Sequence, residues 1–586
     1  MKNIVESVKS DDVKSVKDIL KADQTKINAR DETGQSLLGQ ACRNMNTEMM
    51  KLLIENGVDV NAADKNEIAP VHILASRGFV EGMAILLEEN IDVNAVANTG
   101  FTALHYVNAP GRVEERVSII RQLLEKGAKG YIANKNGDAP LNFAVEFFMD
   151  IQIVKALYKY ADAYTISDRR ALLLLKKAAE YGLKDLFMDV FQGSGEDVLQ
   201  DEKSKDELVE SIVKGGETDF LDILQQHNVQ MREKKNVYGW TLAHHAARSG
   251  NPRMLRYLYE QDFDISVRNY NGDSPFNIAQ KQNDTDMMNQ IIELGGKESE
   301  SVFPELKGKY LGQKTPGMIP EIFAPGIVST EDYEGCSGWG KDMAYFIFQR
   351  WDKETPKLYI MNCVDGIWQK PETIPFGEAY GIGDFTVSPD GNSILFATRR
   401  DMDGNNCEWA NIWKAEKTES GWSKPKIFDA PIHSNYQESY PCLAANGNLY
   451  FFSWRPGGYG KSDLYLSEFK DGIYLEPVNL GNTLNSINYE WDAYIAPDES
   501  YIIFSSVLPG GRCDNLHISF KMADGNWTRP QFMAGINSEY SDNRPYVTPD
   551  GKYLFFYSGR TGNGDIYWVD AKVIEKFKAS SEGGIR

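Results

Sequence analysis

Residues 69–105 read APVHILASRGFVEGMAILLEENIDVNAVANTGFTALH. The tetrapeptide APVH at 69–72 returns as TALH at 102–105, which is 33 residues later. Two short apolar segments of helical spacing lie between them, followed by a polar turn. One such helix pair cannot bury its own apolar face, so neighbouring copies must stack. This stretch therefore predicts a helical repeat array.

The same unit recurs over the first half of the chain. A column of turn residues marks it: Gly34, Glu67, Gly100, Gly137, Gly239 and Gly272. Related tetrapeptides follow the column at SLLG (36–39), APLN (139–142), TLAH (241–244) and SPFN (274–277). The interval from Gly137 to Gly239 is about three periods long and predicts two degenerate units between them.

These tetrapeptides, together with endings such as KLLIENGVDVNA, resemble the ankyrin repeat. The resemblance covers residues 1–296 as about eight to nine repeats, degenerate over 168–235. It implies an α-solenoid that binds a protein partner through its hairpin tips and concave face. At the tetrapeptide position, His72, His105 and His244 are expected to bond locally to the turn, and not to bind a metal or act in catalysis.

After residue 310 the period lengthens to about 52 residues, and short strands replace helices. The turns SPDG (388–391), AANG (444–447), APDE (496–499) and TPDG (548–551) each precede an apolar strand. Four antiparallel strands per unit, repeated radially, indicate a β-propeller. Residues 320–334, PEIFAPGIVSTEDYE, match the outer strand and lead-in at 476–490, so they are expected to complete the last blade. This favours five blades, with six as the alternative.

The second half resembles the PD40 (WD40-like, TolB-type) propellers. Within that group it is similar to a bacterial family through YLGQKTPGMIPEIFAPGIVS near its start and DIYWVDAKVIEKFK near its end. Members of this family are mostly of undefined function and often exported. The expected domains are an ankyrin solenoid at 1–296, a linker at 297–309, a propeller at 310–577 and a C-terminal tail at 578–586.

Composition narrows the class of partner. The formal net charge is −21 and is spread over both halves, which argues against a nucleic acid or an anionic membrane. The sequence contains no apolar run of membrane-spanning length and no apolar leader near residue 1. The six cysteines form no CxxC pair and are expected to be reduced, so a cytoplasmic location is expected.

One constellation of charged residues keeps the propeller period. The acids Glu334, Glu438, Glu490 and Asp542 occupy one blade position, and blade two has Ile382 or Gly383 there. The bases are Arg350, Arg400, Arg455 and Arg560. An acid and base ring at an axial mouth could bind a polar ligand. Ion pairs between blades and turn capping are the favoured interpretation, ligand binding is the second, and catalysis is the third.

No cofactor or metal site is predicted. The loop 401–408, DMDGNNCE, has oxygen side chains at alternate positions, but its glycine stands at the fourth position and not the sixth. An ordinary polar hairpin is favoured there.

The sequence favours a non-enzymatic scaffold with two binding modules. The ankyrin face would bind one protein, and the propeller would bind a second protein or a polar ligand such as a carbohydrate. The alternative is a carbohydrate-active propeller enzyme, of glycosidase or lyase type, with an ankyrin adaptor. A deep axial pocket that contains a lone acid pair, not matched in other blades, would favour the enzyme.

Overall fold

The chain divides into two compact units. The first comprises residues 1–233 and 245–263, and the second comprises 234–244 and 264–586. The computed structural model describes residues 3–583 except 32–33, 108–111, 136, 148–150, 161–167, 228, 230, 232–233, 299, 353–354, 375, 378–380, 401–405, 420, 429–430, 461, 487–488 and 507–513.

Paired helices occupy the chain up to residue 293. In order, α1 to α18 are Ile4–Lys9, Val13–Ala22, Leu37–Arg43, Thr47–Glu55, Pro70–Arg77, Val80–Leu87, Ala103–Tyr106, Val113–Glu125, Pro140–Phe147, Ile151–Tyr160, Asp168–Glu180, Lys184–Val198, Glu202–Gly215, Thr218–Gln226, Leu242–Arg248, Pro252–Glu260, Pro275–Lys281 and Thr285–Glu293. These described helices make nine pairs, including two pairs across the degenerate stretch 168–235.

Stacking in the first unit follows the repeat. Helices α1, α3, α5, α7 and α9 each contact the next of that series, as do α2, α4, α6 and α8. Leu38, Leu53, Leu74 and Leu86 are fully buried between them. Each pair therefore buries its apolar face against its neighbours, which is the predicted solenoid.

The tetrapeptide histidines bond to backbone, as expected. His72 accepts from the Ala69 N–H at 3.0 Å through Nδ1, so its Nε2–H donates to the Ala95 carbonyl at 2.8 Å. His105 and His244 bond the Asp138 and Asp273 carbonyls in the same way. Burial lowers the pKa of His72 and keeps the ring neutral. These histidines lock each turn to the next repeat.

The described residues of the second unit form five antiparallel sheets of four or more strands and one separate two-stranded sheet. Strands β1 to β25 are Leu306–Lys307, Glu321–Ile322, Tyr333–Trp339, Tyr345–Asp352, Thr355–Val364, Ile367–Trp368, Glu372–Thr373, Asp384–Val387, Ser393–Arg400, Asn406–Thr418, Gly421–Trp422, Lys426–Ile427, Glu438–Leu443, Leu449–Ser453, Asp463–Ser467, Phe469–Lys470, Ile473–Tyr474, Val478–Asn479, Glu490–Ile495, Tyr501–Ser506, Asn515–Phe520, Gln531–Phe532, Asp542–Val547, Tyr553–Ser558 and Asp565–Asp570.

The innermost strands of the five sheets form a closed ring. Strand β3 contacts β8, β8 contacts β13, β13 contacts β19, β19 contacts β23, and β23 returns to β3. The described residues thus form a five-bladed propeller arrangement, as the period predicts.

The last blade is completed from the start of the propeller. Strand β2 pairs antiparallel with β25, with Glu321 opposite Trp568 and Ile322 opposite Tyr567. The sheet order is β2-β25-β24-β23, so the predicted closure is confirmed. Closure leaves β25 without an open edge.

Residues flanking the expected propeller also join the second unit. Strand β1 lies within the expected linker and pairs with β6 of the first blade. Upstream, the Tyr238 hydroxyl donates to Asp565 Oδ2 at 2.9 Å, and Asn236 Nδ2 donates to Glu331 at 2.6 Å. A final helix, α19, covers Lys572–Gly583 and includes most of the expected tail.

Phe323, beside β2, is fully buried and contacts both the first and the last blade. Its ring centroid lies 5.3 Å from Phe346 and 4.8 Å from Phe555. Because Phe323→Ala removes this shared contact, we expect it to lower the stability of the propeller by about 3–5 kcal/mol. Denaturant unfolding followed by near-UV circular dichroism measures the loss, since ten of the 11 tryptophans follow residue 300.

The matched control is Ile319→Ala, in the same segment but 76% exposed. Equal unfolding midpoints for the two variants would contradict the proposed role of Phe323 in closure.

Candidate functional site on the propeller axis

Each acid of the predicted ring lies at the beginning of an inner strand. Glu334 is the second residue of β3, and Glu438, Glu490 and Asp542 open β13, β19 and β23. All four are at most 1% exposed. The repeat therefore places four carboxylates at one level of the propeller, inside the protein.

A hydroxyl residue four positions earlier donates twice to each acid. Thr330 donates to Glu334 from its backbone N–H at 2.8 Å and from its hydroxyl at 2.7 Å. Ser486 bonds Glu490 at 2.8 and 2.6 Å in the same way. Ser434 and Ser538 repeat this with Glu438 and Asp542. The acids thus cap the turns that lead into the inner strands, and the Ser/Thr spacing was a signal that our sequence interpretation missed.

The arginines pair with acids inside their own blade. Arg350 Nε lies 2.7 Å from Glu334, and Arg560 Nη2 lies 2.9 Å from Asp542. Arg455 lies 3.4 Å from Glu438. The expectation of ion pairs between blades is therefore replaced by pairs within blades, because acid and arginine stand on adjacent strands of one sheet.

Two blades depart from this pairing. Arg400 ends β9 of blade two, where Ile382 occupies the acid position and is itself 1% exposed. In blade four, Glu490 accepts from the Ser506 hydroxyl at 3.2 Å in place of an arginine. Within the described part of the chain, acid–arginine pairs are therefore seen in blades one, three and five.

Burial dominates the electrostatics of these acids. It raises the pKa of Glu334 to about 8, against the opposing effects of Arg350 and Thr330. It also raises the pKa of Glu438 and Glu490. Because hydrogen bonds already engage their oxygens, the contacts favour turn capping. Ligand binding by these eight residues stays a prediction.

The loop weighed as a calcium site cannot be compared with the fold. Its residues Asp401, Asp403 and Asn405 lie outside the described part of the chain.

A second ring lies two residues further along the inner strands. Its members are Cys336, Asp384, Tyr440, Asp492 and Arg544. The strand register shifts at this level in the blades of β3, β13, β19 and β23. Tyr440, Asp492 and Arg544 there have φ of 47°, 51° and 54°. Bulges of this kind re-aim side chains.

The side chains of this second ring interact across blades. Arg544 Nη1 donates to the Tyr333 hydroxyl at 2.8 Å, and its Nε lies 3.6 Å from Asp384 Oδ1. The Ser439 hydroxyl donates to Asp384 at 2.7 Å. Burial and the charge of Asp384 raise the pKa of Asp492 well above its ordinary value.

Unlike the first ring, this level holds a different residue in almost every blade. Asp384 and Asp492 are acids that the other three blades replace by cysteine, tyrosine and arginine. We did not single them out from the sequence, although alignment on the 52-residue period would have placed them in one column. Variation at one structural position is what a specific site requires of a repeated fold.

Comparison with known proteins concerns the first half. A family model for ankyrin repeats matches residues 4–97 and 175–301, in three copies. A relative, the ankyrin repeat and SAM domain-containing protein 6 of Rattus norvegicus, is 30% identical over 71 residues, covering 12% of this chain and 8% of that protein.

These matches show that the first half contains ankyrin repeats, including most of the stretch that we considered degenerate. Residues 98–174 lie outside the matched ranges but contain helices α7 to α10. The resemblance of the second half to PD40 propellers stays a prediction. No helix in the described part of the chain combines the length and apolar character needed to cross a membrane.

Removing a capping acid should destabilise the protein. Glu490→Ala leaves the Ser486 N–H without its acceptor in a buried site, so we expect a loss of about 1–3 kcal/mol in the free energy of unfolding. Asp542→Ala should cost a similar amount because it also removes the partner of Arg560. Denaturant titration of each variant without ligand measures the loss.

Glu476→Ala, at an exposed position, is the control. A ligand-binding ring predicts the opposite sign, since relieving repulsion between like charges would leave the stability of the free protein equal or higher.

Proposed function

We propose that this protein is a non-enzymatic interaction protein with two binding modules. Its ankyrin half binds a protein partner, and its propeller binds a second protein or a polar ligand. The ankyrin repeats are the observation that supports a protein partner. Their stacked helix pairs bury the apolar faces against one another and leave the turns exposed for binding.

Exposed apolar side chains on successive turns support a protein partner. Val96 is 45% exposed and Tyr131 is 51% exposed. Asn94 accepts from the Lys129 N–H at 2.7 Å, which joins the two segments two residues before Val96 and Tyr131. Exposed aromatic residues frequently dominate the binding energy of interfaces.

Affinity capture with the full chain as bait tests this function. We expect the double variant Val96→Ser, Tyr131→Ser to reduce the captured partner at least about tenfold, which corresponds to about 1.4 kcal/mol. Quantitative mass spectrometry of the bound fraction is the measurement.

Met45→Ser is the control, since Met45 is 48% exposed on a different turn of the same unit. Capture that is equal for the double variant and the wild type would contradict a partner at this surface.

A carbohydrate-active enzyme is the second candidate, and one observation favours it. Asp384 and Asp492 form the unmatched acid pair that this alternative requires. Burial raises the pKa of Asp492 well above its ordinary value, which is the direction a general acid needs, while Arg544 lies beside Asp384.

Incubation of the full chain with a panel of polysaccharides separates the two candidates. The non-enzymatic proposal expects no release of new sugar ends by the wild type. Release that Asp492→Asn abolishes, while the exposed control Asp471→Asn retains it, would establish the enzyme.

A further inference from the structure

We propose that the second axial ring and its neighbours bind a cationic amine carried on a flexible chain. This axial cluster consists of Tyr333, Gln349, Asp384, Asp492, Asp514, Asn543 and Arg544. The proposal rests on the propeller being a ligand-binding module, and it names the chemical class of that ligand.

Buried acceptors without donors provide the first argument. Asn543 is 8% exposed, and its Nδ2 donates to Asp514 at 3.1 Å. Its Oδ1, in contrast, has no hydrogen-bond partner among the described residues. Gln349 is fully buried, and its Nε2 donates to the Ile382 carbonyl at 2.7 Å, but its Oε1 has no partner within the described part of the chain.

These two acceptors belong to the axial cluster. A methyl group built on Gly335 would lie 2.3 Å from Gln349 Oε1 and 3.8 Å from Arg544 Nη1, so both groups face the same side of Gly335 and are no more than about 6 Å apart. Asn543 immediately precedes Arg544 in β23. An unmade hydrogen bond at a buried group is costly, so a ligand that supplies N–H donors would be favoured.

The balance of charge specifies the sign of the ligand. Three carboxylates, those of Asp384, Asp492 and Asp514, surround one guanidinium. The cluster is therefore acceptor-rich and acidic even after Arg544 is paired with Asp384. Asp492 faces Asp384 and Asp514, which both raise its pKa, and Arg544, which opposes them. A cation bound here would offset the repulsion among these carboxylates.

The spacing of the carboxylates favours an organic cation over a metal ion. Among the described residues, the oxygens of Asp384, Asp492 and Asp514 do not all lie within 4.8 Å of one another. A calcium ion needs its oxygens at 2.3–2.6 Å. An ammonium group, in contrast, carries three donors that can reach separate acceptors.

Aromatic rings and solvent access complete the site. The rings of Tyr333 and Trp351 lie 5.8 Å apart. The Tyr557 ring, 5.2 Å from Tyr333, already has the Arg544 guanidinium over it at 5.6 Å. Aromatic faces stabilise cations. The side chains of Asp384 and Arg544 are 18% and 17% exposed, so solvent reaches the cluster.

Isothermal titration of the full chain tests the proposal with two amine probes and one neutral probe. Spermidine represents a free polyamine, the peptide acetyl-Gly-Lys-Gly-amide represents a lysine side chain of a protein, and sorbitol represents a polyol. We expect at least one amine to bind and sorbitol not to bind. Which amine binds identifies the source of the ligand, and either one supports the proposal.

Variants locate the binding on the axis. Asp492→Asn and Asp514→Asn should each weaken amine binding at least about tenfold, since each removes one carboxylate charge. Asp471→Asn makes the same change on an exposed turn, at a φ of 52° that asparagine tolerates, and should leave binding unchanged. Asp514 is only half-buried, so its variant keeps the test valid if Asp492→Asn fails to fold.

Binding of sorbitol alone, binding of no probe, or equal binding by all three variants would overturn the proposal. Its failure is distinguishable from failure of the proposed function, because capture of a protein by the ankyrin turns does not depend on Asp492 or Asp514.

Discussion

Two residues, Glu321 and Ile322, pair with the last strand of the propeller and thereby close its ring. Without this pairing, β25 would present an open edge. Phe323 follows directly and packs between those two blades. Every feature at the axis depends on this closure, because the inner strands hold their relative positions only as a complete ring.

The inner strands hold two rings of polar residues. The first repeats an acid in four blades, and the second differs from blade to blade. In the first ring, formed by Glu334, Glu438, Glu490 and Asp542, a Ser or Thr donates twice to the acid four residues later, and this arrangement recurs in four blades. At the second ring, bulges in four of the five blades accompany unlike side chains, among them Asp492 and Arg544. The repeated acids of the first ring have hydrogen-bond partners within their own blades. The residues of the second ring differ from blade to blade, and we propose that they contact a ligand.

The two modules use their side chains in opposite ways. In the ankyrin repeats, the helices bury their apolar faces against one another, and the histidines bond to backbone groups of the turns. Exposed residues such as Val96 and Tyr131 are therefore the ones proposed to contact a partner. In the propeller, the blades surround a central cluster whose side chains are mostly buried. The two proposed sites, an exposed surface for a protein and a buried acidic cluster for a small cation, therefore use different parts of the chain.

The sequence alone determined the repeats, because a repeated pattern of buried side chains requires a repeated pattern of residues. The helix pairs, the five blades and the closing role of 320–334 could therefore all be predicted. It also placed Glu334, Glu438, Glu490 and Asp542 in one column. Only the tertiary structure showed that these acids cap their own turns and that their arginines pair within blades. It alone brought Asp384, Asp492 and Arg544 together, because residues of different blades meet only once the inner strands are closed into a ring.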